Sequence, residues 1–299
     1  VLRGERFKRA DRVIRIGFWI NAVLMVLKLA AGHFGHSEAV FADGVESACD
    51  FIGIALTIIA LRVGRKPFDE EHPYGHGKVE SLSAVFVSVI ICASGVWILY
   101  GSVATIAGGV YQSPELIAVL AAGMTILIKE TLYRYSVRVG GALGSPALLA
   151  IAKDHRKDAV TSVATLIGVG CAYLGFKFMD PLAAGLTSFF IFHIGYQSFK
   201  VSAHDLMDGQ PETQEVADIA ALACAVEGVD RVHEIRARRS GQFLIVDLKL
   251  DMDPEMTVKH SHEIATLVKS RIFEHFSNVG DVMIHINPSD EPHEDLNRL

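Results

Sequence analysis

The chain has 299 residues, 51% of them hydrophobic, and a formal net charge of −6. That balance is too apolar for an ordinary soluble domain, and the acidic excess argues against a polyanion such as nucleic acid as partner. The charged residues are unevenly placed: they gather at the N-terminus, in a few short loops and after about residue 200, which predicts a membrane domain followed by a soluble one.

Apolar stretches of bilayer-spanning length, about 20 residues, fall near 13–32, 38–61, 81–107, 114–133, 146–176 and 180–200. The basic N-terminus (Arg3, Arg6, Lys8, Arg9, Arg12 and Arg15) leads into a span too long for a signal h-region, so no cleavable signal is expected. The loops near 33–37, 108–113 and 177–179 carry Lys177 as their one basic residue. The opposite side holds Arg62, Arg65, Lys66, Lys78, Arg134, Arg138 and Lys200, so the positive-inside rule places both termini in the cytoplasm.

Two acidic pairs interrupt these apolar stretches: Glu46 and Asp50 in span 2, Asp154 and Asp158 in span 5. Each pair is spaced four apart and so shares one helix face. An ionised carboxylate in a bilayer costs at least roughly 2.5–3.5 kcal/mol on insertion scales, so such residues normally line a pathway or bind something. The antiparallel spans bring the pairs toward the midplane, where a divalent cation or protons relieve their repulsion. Asp43 continues the span 2 stripe nearer the outer surface and reads as a helix-end or hydrogen-bonded structural acid, the alternative being an outer way-station for a cation. Lys28 reads as snorkelling or paired with an acid, and Lys129 and Glu130 as cytoplasm-facing interface residues.

Between spans 2 and 3, RKPFDEEHPYGHGKVESL carries Asp69, His72 and His76, and Pro73 and Gly75 make it a loop able to wrap a metal. Beyond span 6 the pattern predicts a helix (212–226), strands (231–239 and 242–250), a helix (257–276) and a strand (281–286), a small α+β sandwich. Leu244, Val246, Leu248 and Leu250 form one face of the second strand, and Ile264, Val268 and Ile272 one face of the second helix. His233, Asp247, His262 and His285 come one from each of four elements, a set able to converge at the sheet or at a dimer seam, the alternative being scattered surface groups. Cys49, Cys92, Cys171 and Cys224 are scattered, without a CxxC, and read as buried small side chains. No nucleophile-base pair or phosphate-cradling glycine loop points to an enzyme.

ADGVESACD, KPFDEEHPYGHGKVESL, KDHRKDAVTS, LMDGQPE, GVDRVHEIRARRSGQFLIVDLKL and DVMIHINP occur in this order, and with them the chain resembles the cation diffusion facilitators over nearly its whole length. HPYGHGKVE, YGSV and SPALLAIA are particularly similar to magnetosome-associated members. The resemblance implies a homodimeric, proton-coupled exporter of divalent transition metals, without a resident cofactor, in a bacterial cell membrane. Its fold is six transmembrane helices (1–206) and a cytoplasmic, ferredoxin-like (metallochaperone-like) α+β domain (207–299). Carried over by position, it implies a transport site at Glu46, Asp50, Asp154 and Asp158, a loop site at Asp69, His72 and His76, a cytoplasmic site at His233, Asp247, His262 and His285, and a hinge pair of Lys78 and Asp208.

Zinc-selective members usually have histidine where this chain has Asp154, and span 2 often begins its pair with Asp, Asn or His where this chain has Glu46. Asp247 stands where histidine also occurs, and Asn287 where some relatives have an acid. Oxygen ligands suit Mn²⁺, with Fe²⁺ accepted, whereas zinc favours imidazole or thiolate. His155 points about 100° away from Asp154 on a helix. Mn²⁺ or Fe²⁺ is therefore the expected cargo, with Zn²⁺ the alternative metal. The competing reading is a membrane-anchored metal sensor or assembly scaffold with little transport.

Overall fold

The computed structural model describes residues 3–211 and 213–290. Six long helices come first: α1 (Arg3–Phe34), α2 (Glu38–Gly64), α3 (Val79–Gly108), α4 (Leu116–Leu143), α5 (Pro146–Tyr173) and α6 (Met179–Leu206). They are followed by α7 (Thr213–Cys224), β1 (Arg231–Ser240), β2 (Phe243–Met252), α8 (Val258–His275) and β3 (Val279–Pro288). Contacts divide the chain into two compact units: one takes it to Leu56 and again from Phe86 to Ser198, the other takes Thr57–Val85 and the chain from Phe199 onward.

Even the shortest of the six, α2 with 27 residues, is about 40 Å long at 1.5 Å per residue, more than the roughly 30 Å of a bilayer's hydrocarbon core. Among the described residues four helices are apolar enough to cross on composition: α1 from Lys8, α2, α3 and α4. Helices α5 and α6 match them in length, at 28 residues each, but carry more polar side chains, α5 above all with Lys153, Asp154, Arg156, Lys157 and Asp158. Large apolar side chains such as Trp19, Val23, Phe86, Trp97, Leu127 and Phe190 are exposed, while Lys28, Asp43, Thr125, Lys129 and Ser162 are buried. That inversion suits an apolar solvent outside and polar pairing inside.

Local chemistry sets the helix ends. Gly144, at φ +58°, closes α4 in the left-handed region, and Ser145 then starts α5, its Oγ accepting the Leu148 N–H, with Pro146 at the first helical position. The start of α2 is capped from another helix: Asp180 of α6 accepts from Ser37 Oγ at 2.6 Å and from the Glu38 N–H at 2.6 Å. A side chain at Gly32 would meet the Phe41 backbone nitrogen at 2.5 Å, so α1 and α2 approach as closely as they do only with glycine there.

Lys28 and Asp43 are both buried, with Nζ and Oδ1 2.9 Å apart. Lys28 also donates to Ser47 Oγ at 3.1 Å, and Ser162 Oγ donates to Asp43 Oδ2 at 3.1 Å. One buried carboxylate thus ties α1, α2 and α5 together. Both sequence expectations hold here: Lys28 pairs with an acid, and Asp43 is structural.

In the second unit β2 lies centrally, antiparallel to β1 and parallel to β3, with α8 as the crossover. Leu244, Val246, Leu248 and Leu250 of β2 are buried against Ile219 of α7 and Ile264, Val268 and Ile272 of α8, as the alternation predicts. The helices therefore cover one face of the sheet. The other face carries Asp247, Lys249 and His285.

Replacing Lys28 by Met leaves Asp43 buried without its cation, which costs about 3–5 kcal/mol. The expected result is a clear fall in the thermal midpoint of the detergent-solubilised protein; an unchanged midpoint would show that the pair is not a brace.

Candidate metal sites

Glu46 lies one helical turn beyond Asp43 and is partly buried, and Asp50 is one turn further and exposed. Asp50 lies within electrostatic reach of Asp158 and Lys157, and Glu46 within reach of Asp50 and Asp158. Asp158 is not a free carboxylate: Lys129 Nζ is 2.6 Å from its Oδ2 and 2.8 Å from Asn21 Oδ1. Asp154, a turn earlier on α5, is exposed. Among the described residues no three of these four acids bring oxygen atoms within 4.8 Å of one another. The structure thus places Glu46, Asp50 and Asp158 in one electrostatic neighbourhood without closing a coordination sphere.

Lys129 corrects the sequence reading. It is 4% exposed rather than an interface residue, whereas Glu130 pairs with Arg134 at 2.8 Å and with Arg156. Consecutive helical residues point about 100° apart, so one faces the packed interior and the next faces out. Cys49 is buried with Sγ 3.6 Å from Ser94 Oγ, in keeping with a packed thiol, while Cys224 is exposed, against expectation.

The loop trio is compact. Asp69, His72 and His76 each offer a ligand atom within 4.8 Å of the other two. Asp69 Oδ1 is 3.2 Å from His72 Nδ1, and Oδ2 is 3.5 Å from His76 Nε2. The His72 N–H donates to Asp69 Oδ1 at 2.7 Å, and this bond foremost holds the Asp69 carboxyl below the usual carboxylate range. Gly75, at φ +79°, makes the turn that returns His76 toward Asp69, and its N–H donates to the His72 carbonyl. Among the described residues the buried His76 Nδ1 has no hydrogen-bond partner. One carboxylate and two imidazoles suit a transition metal.

The loop packs on the sheet of its own unit. Lys78 Nζ is 2.8 Å from Asp208 Oδ1, and Arg238 of β1 is 3.7 Å from the other Asp208 oxygen. The Arg238 guanidinium also lies 5.3 Å from the Tyr74 ring centre. Asp208 sits at φ +57°, a left-handed conformation uncommon for a non-glycine residue.

Among the described residues no three of His233, Asp247, His262 and His285 bring ligand atoms within 4.8 Å of one another. Asp247 pairs in register with Met283, and His285 with Lys249, so both lie on the sheet face away from the helices. His262 stands on α8, which covers the opposite face, and His233 sits at the β1 bulge between Val232 and Glu234.

Asp251 was not singled out by its sequence. It is buried, with its Oδ2 2.6 Å from Arg231 Nη2, 3.0 Å from Arg231 Nε and 3.6 Å from His233 Nδ1, while Asn287 Nδ2 is 3.3 Å from Oδ1. The alternation of β2 runs on through Leu250-Asp251-Met252 and marks Asp251 as outward-facing, so its burial and its partner, Arg231, become evident only in the register that sets the two opposite each other.

Residues 14–207 match the cation efflux transmembrane domain, and residues 211–289 the cation efflux protein cytoplasmic domain. The chain belongs to the cation efflux family. Among its relatives, the manganese efflux system protein MneP of Bacillus subtilis is 34% identical, the alignment covering 96% of this chain and 99% of that protein. MneS of the same organism, also named a manganese efflux system protein, is 30% identical over 97% of this chain and 99% of its own length. The magnetosome protein MamB of Magnetospirillum gryphiswaldense is 29% identical over 93% of this chain and 94% of its own. This cation efflux protein is accordingly an integral membrane transporter of metal cations, not an enzyme.

In its cytoplasmic domain, burial raises the Asp251 carboxyl, but hydrogen bonds from Arg231 and Asn287 outweigh it, so the group lies below the usual carboxylate range. Its stabilisation is therefore full above the unfolded-state value of about 3.9 and is lost as pH falls through the lower folded value. Arg231→Met should destabilise the sheet by about 1–3 kcal/mol. It should also move acid-induced loss of hydrogen-exchange protection in β1 and β2 of the intact protein to higher pH; an unmoved acid limb would refute the assignment.

Proposed function

We propose that this cation efflux protein exports Mn²⁺ or Fe²⁺ from the cytoplasm in exchange for protons, with Zn²⁺ the alternative metal. It does so as a homodimer in a bacterial cell membrane with both termini cytoplasmic. The transport domain comprises residues 1–206 and the regulatory and dimerisation domain 207–299. The transport ligands are Glu46, Asp50, Asp154 and Asp158. The observation that carries the choice of metal is this all-oxygen donor set, above all Asp154, because carboxylates favour harder cations and zinc favours imidazole or thiolate. The manganese efflux named for two relatives agrees with it.

Four crowded carboxylates cannot all remain ionised when no metal is bound, so protons replace the departing cation and drive the return of the site. The loop trio of Asp69, His72 and His76 holds a second ion, and Lys78 with Asp208 braces the hinge. His233, Asp247, His262 and His285 act across the seam of two chains, where a bound metal offsets the negative charge of both tails and couples transport to cytoplasmic metal.

Proteoliposomes test the central claim. Wild-type protein should carry Mn²⁺ with an opposing proton flux, and Asp50→Ala should abolish both. Metal movement without proton movement rules out antiport, and no movement in the wild type favours a sensor or scaffold. Asp154→His should shift competition among Mn²⁺, Fe²⁺ and Zn²⁺ toward Zn²⁺ by about tenfold, the scale of one good ligand substitution; unchanged selectivity would mean that Asp154 does not choose the metal.

A further inference from the structure

We infer that Lys129 is a built-in counter-cation for the transport site: its ammonium stands in for the cargo at Asp158 and withdraws toward Asn21 when a divalent ion arrives. This rests on the reading of Asp158 as a transport ligand, and it assigns a positioning role to a residue of α4 that carries no metal itself.

The two buried lysines of the first unit differ in how they are enclosed. Lys28 and Asp43 have side chains 2% and 5% exposed, and both carboxylate oxygens of Asp43 are engaged, by Lys28 and by Ser162. That pair is sealed. In the second pair Lys129 is equally enclosed, at 5%, but the Asp158 side chain is 24% exposed. Asp158 thus has a closed side, held by the ammonium at Oδ2, and an open side from which a cation can approach.

Asn21 supplies the second half of the device. Its amide oxygen accepts from Lys129 Nζ at 2.8 Å while Asp158 accepts at 2.6 Å, so the ammonium is already shared between a charged and a neutral acceptor. When a divalent ion takes the Asp158 carboxylate, Lys129 keeps a partly buried hydrogen-bond acceptor, and its displacement does not strand an unsolvated charge. Two consequences follow from the charge alone. With no metal bound, the ammonium partly neutralises Asp50 and Asp158, limiting their mutual repulsion. With metal bound, the same ammonium repels the cargo, which weakens binding and speeds release. A monovalent ion gains less from displacing an equal charge than a divalent ion does, so the arrangement also disfavours monovalent cations.

The test uses the full-length protein, with Mn²⁺ affinity measured by calorimetry in detergent and initial rates measured in proteoliposomes. Lys129→Gln should bind Mn²⁺ about tenfold more tightly, as expected for removal of one nearby charge, and should show a lower KM with a lower kcat. Lys129→Arg, which keeps the charge, should restore wild-type values. Asn21→Asp is nearly isosteric and gives the ammonium a competing carboxylate, so it should shift Kd, KM and kcat in the same direction as Lys129→Gln, and it decides the question if Lys129→Gln does not fold. Unchanged values in Asn21→Asp, or weaker binding in either variant, overturn the inference. Asp158→Asn separates the two levels of the argument. If it binds Mn²⁺ as wild type does, the ligand assignment fails and the inference with it; if it loses binding while Asn21→Asp behaves as wild type, the counter-cation role alone fails.

Discussion

A charge removed from water must be met by an opposite charge or by hydrogen bonds, and the helical unit is arranged around that requirement. Lys28 meets Asp43, Lys129 meets Asp158, and Asp180 meets the hydroxyl and the N–H at the start of α2. Each of these contacts joins different helices, so the polar groups that are costly to bury also fix which helices are neighbours. Small residues then permit the close approach, as Gly32 does against Phe41. The exposed apolar side chains contribute no such specificity, because lipid solvates any of them equally well.

Within this framework the acids of α2 and α5 differ in what their surroundings leave them free to do. Asp43 has both oxygens committed to the protein and is a structural element. Asp50 and Asp154 are exposed, and Asp158 is shared between an internal ammonium and an open side. The gradient along one helical stripe, from committed to available carboxylates, is what a conducting site requires: rigid anchoring beside ligands that can exchange partners.

The second unit solves a different problem with a different solvent outside it. Its stability comes from the apolar face of β2 against α7 and α8, which leaves the opposite sheet face free for charged residues. The loop between α2 and α3 then carries imidazole as well as carboxylate donors, ordered by the Gly75 turn and by the Asp69 to His72 hydrogen bond. The oxygen-only set in the helices and the mixed set in the loop are chemically distinct, and under the proposed function each suits a metal of different softness.

Much of this was legible from one-dimensional pattern. Helix lengths, the alternation in β2, the capping signals at Gly144-Ser145-Pro146, the loop trio and the family motifs all depend on residues near one another in the chain, where periodicity and spacing are direct consequences of backbone geometry. The pairing of Lys28 and the structural role of Asp43 also follow from the cost of burying a charge. The sequence did not give the orientation of Lys129, which local pattern assigned to the interface, the partner of Asp251, or the side of the sheet on which α8, with His262, packs. Each of these depends on which faces of distant elements meet: a packed α1–α4–α5 contact, a strand register, and the side of the sheet that the helices cover. Backbone periodicity says which residues share a face, but only tertiary packing decides what that face is pressed against.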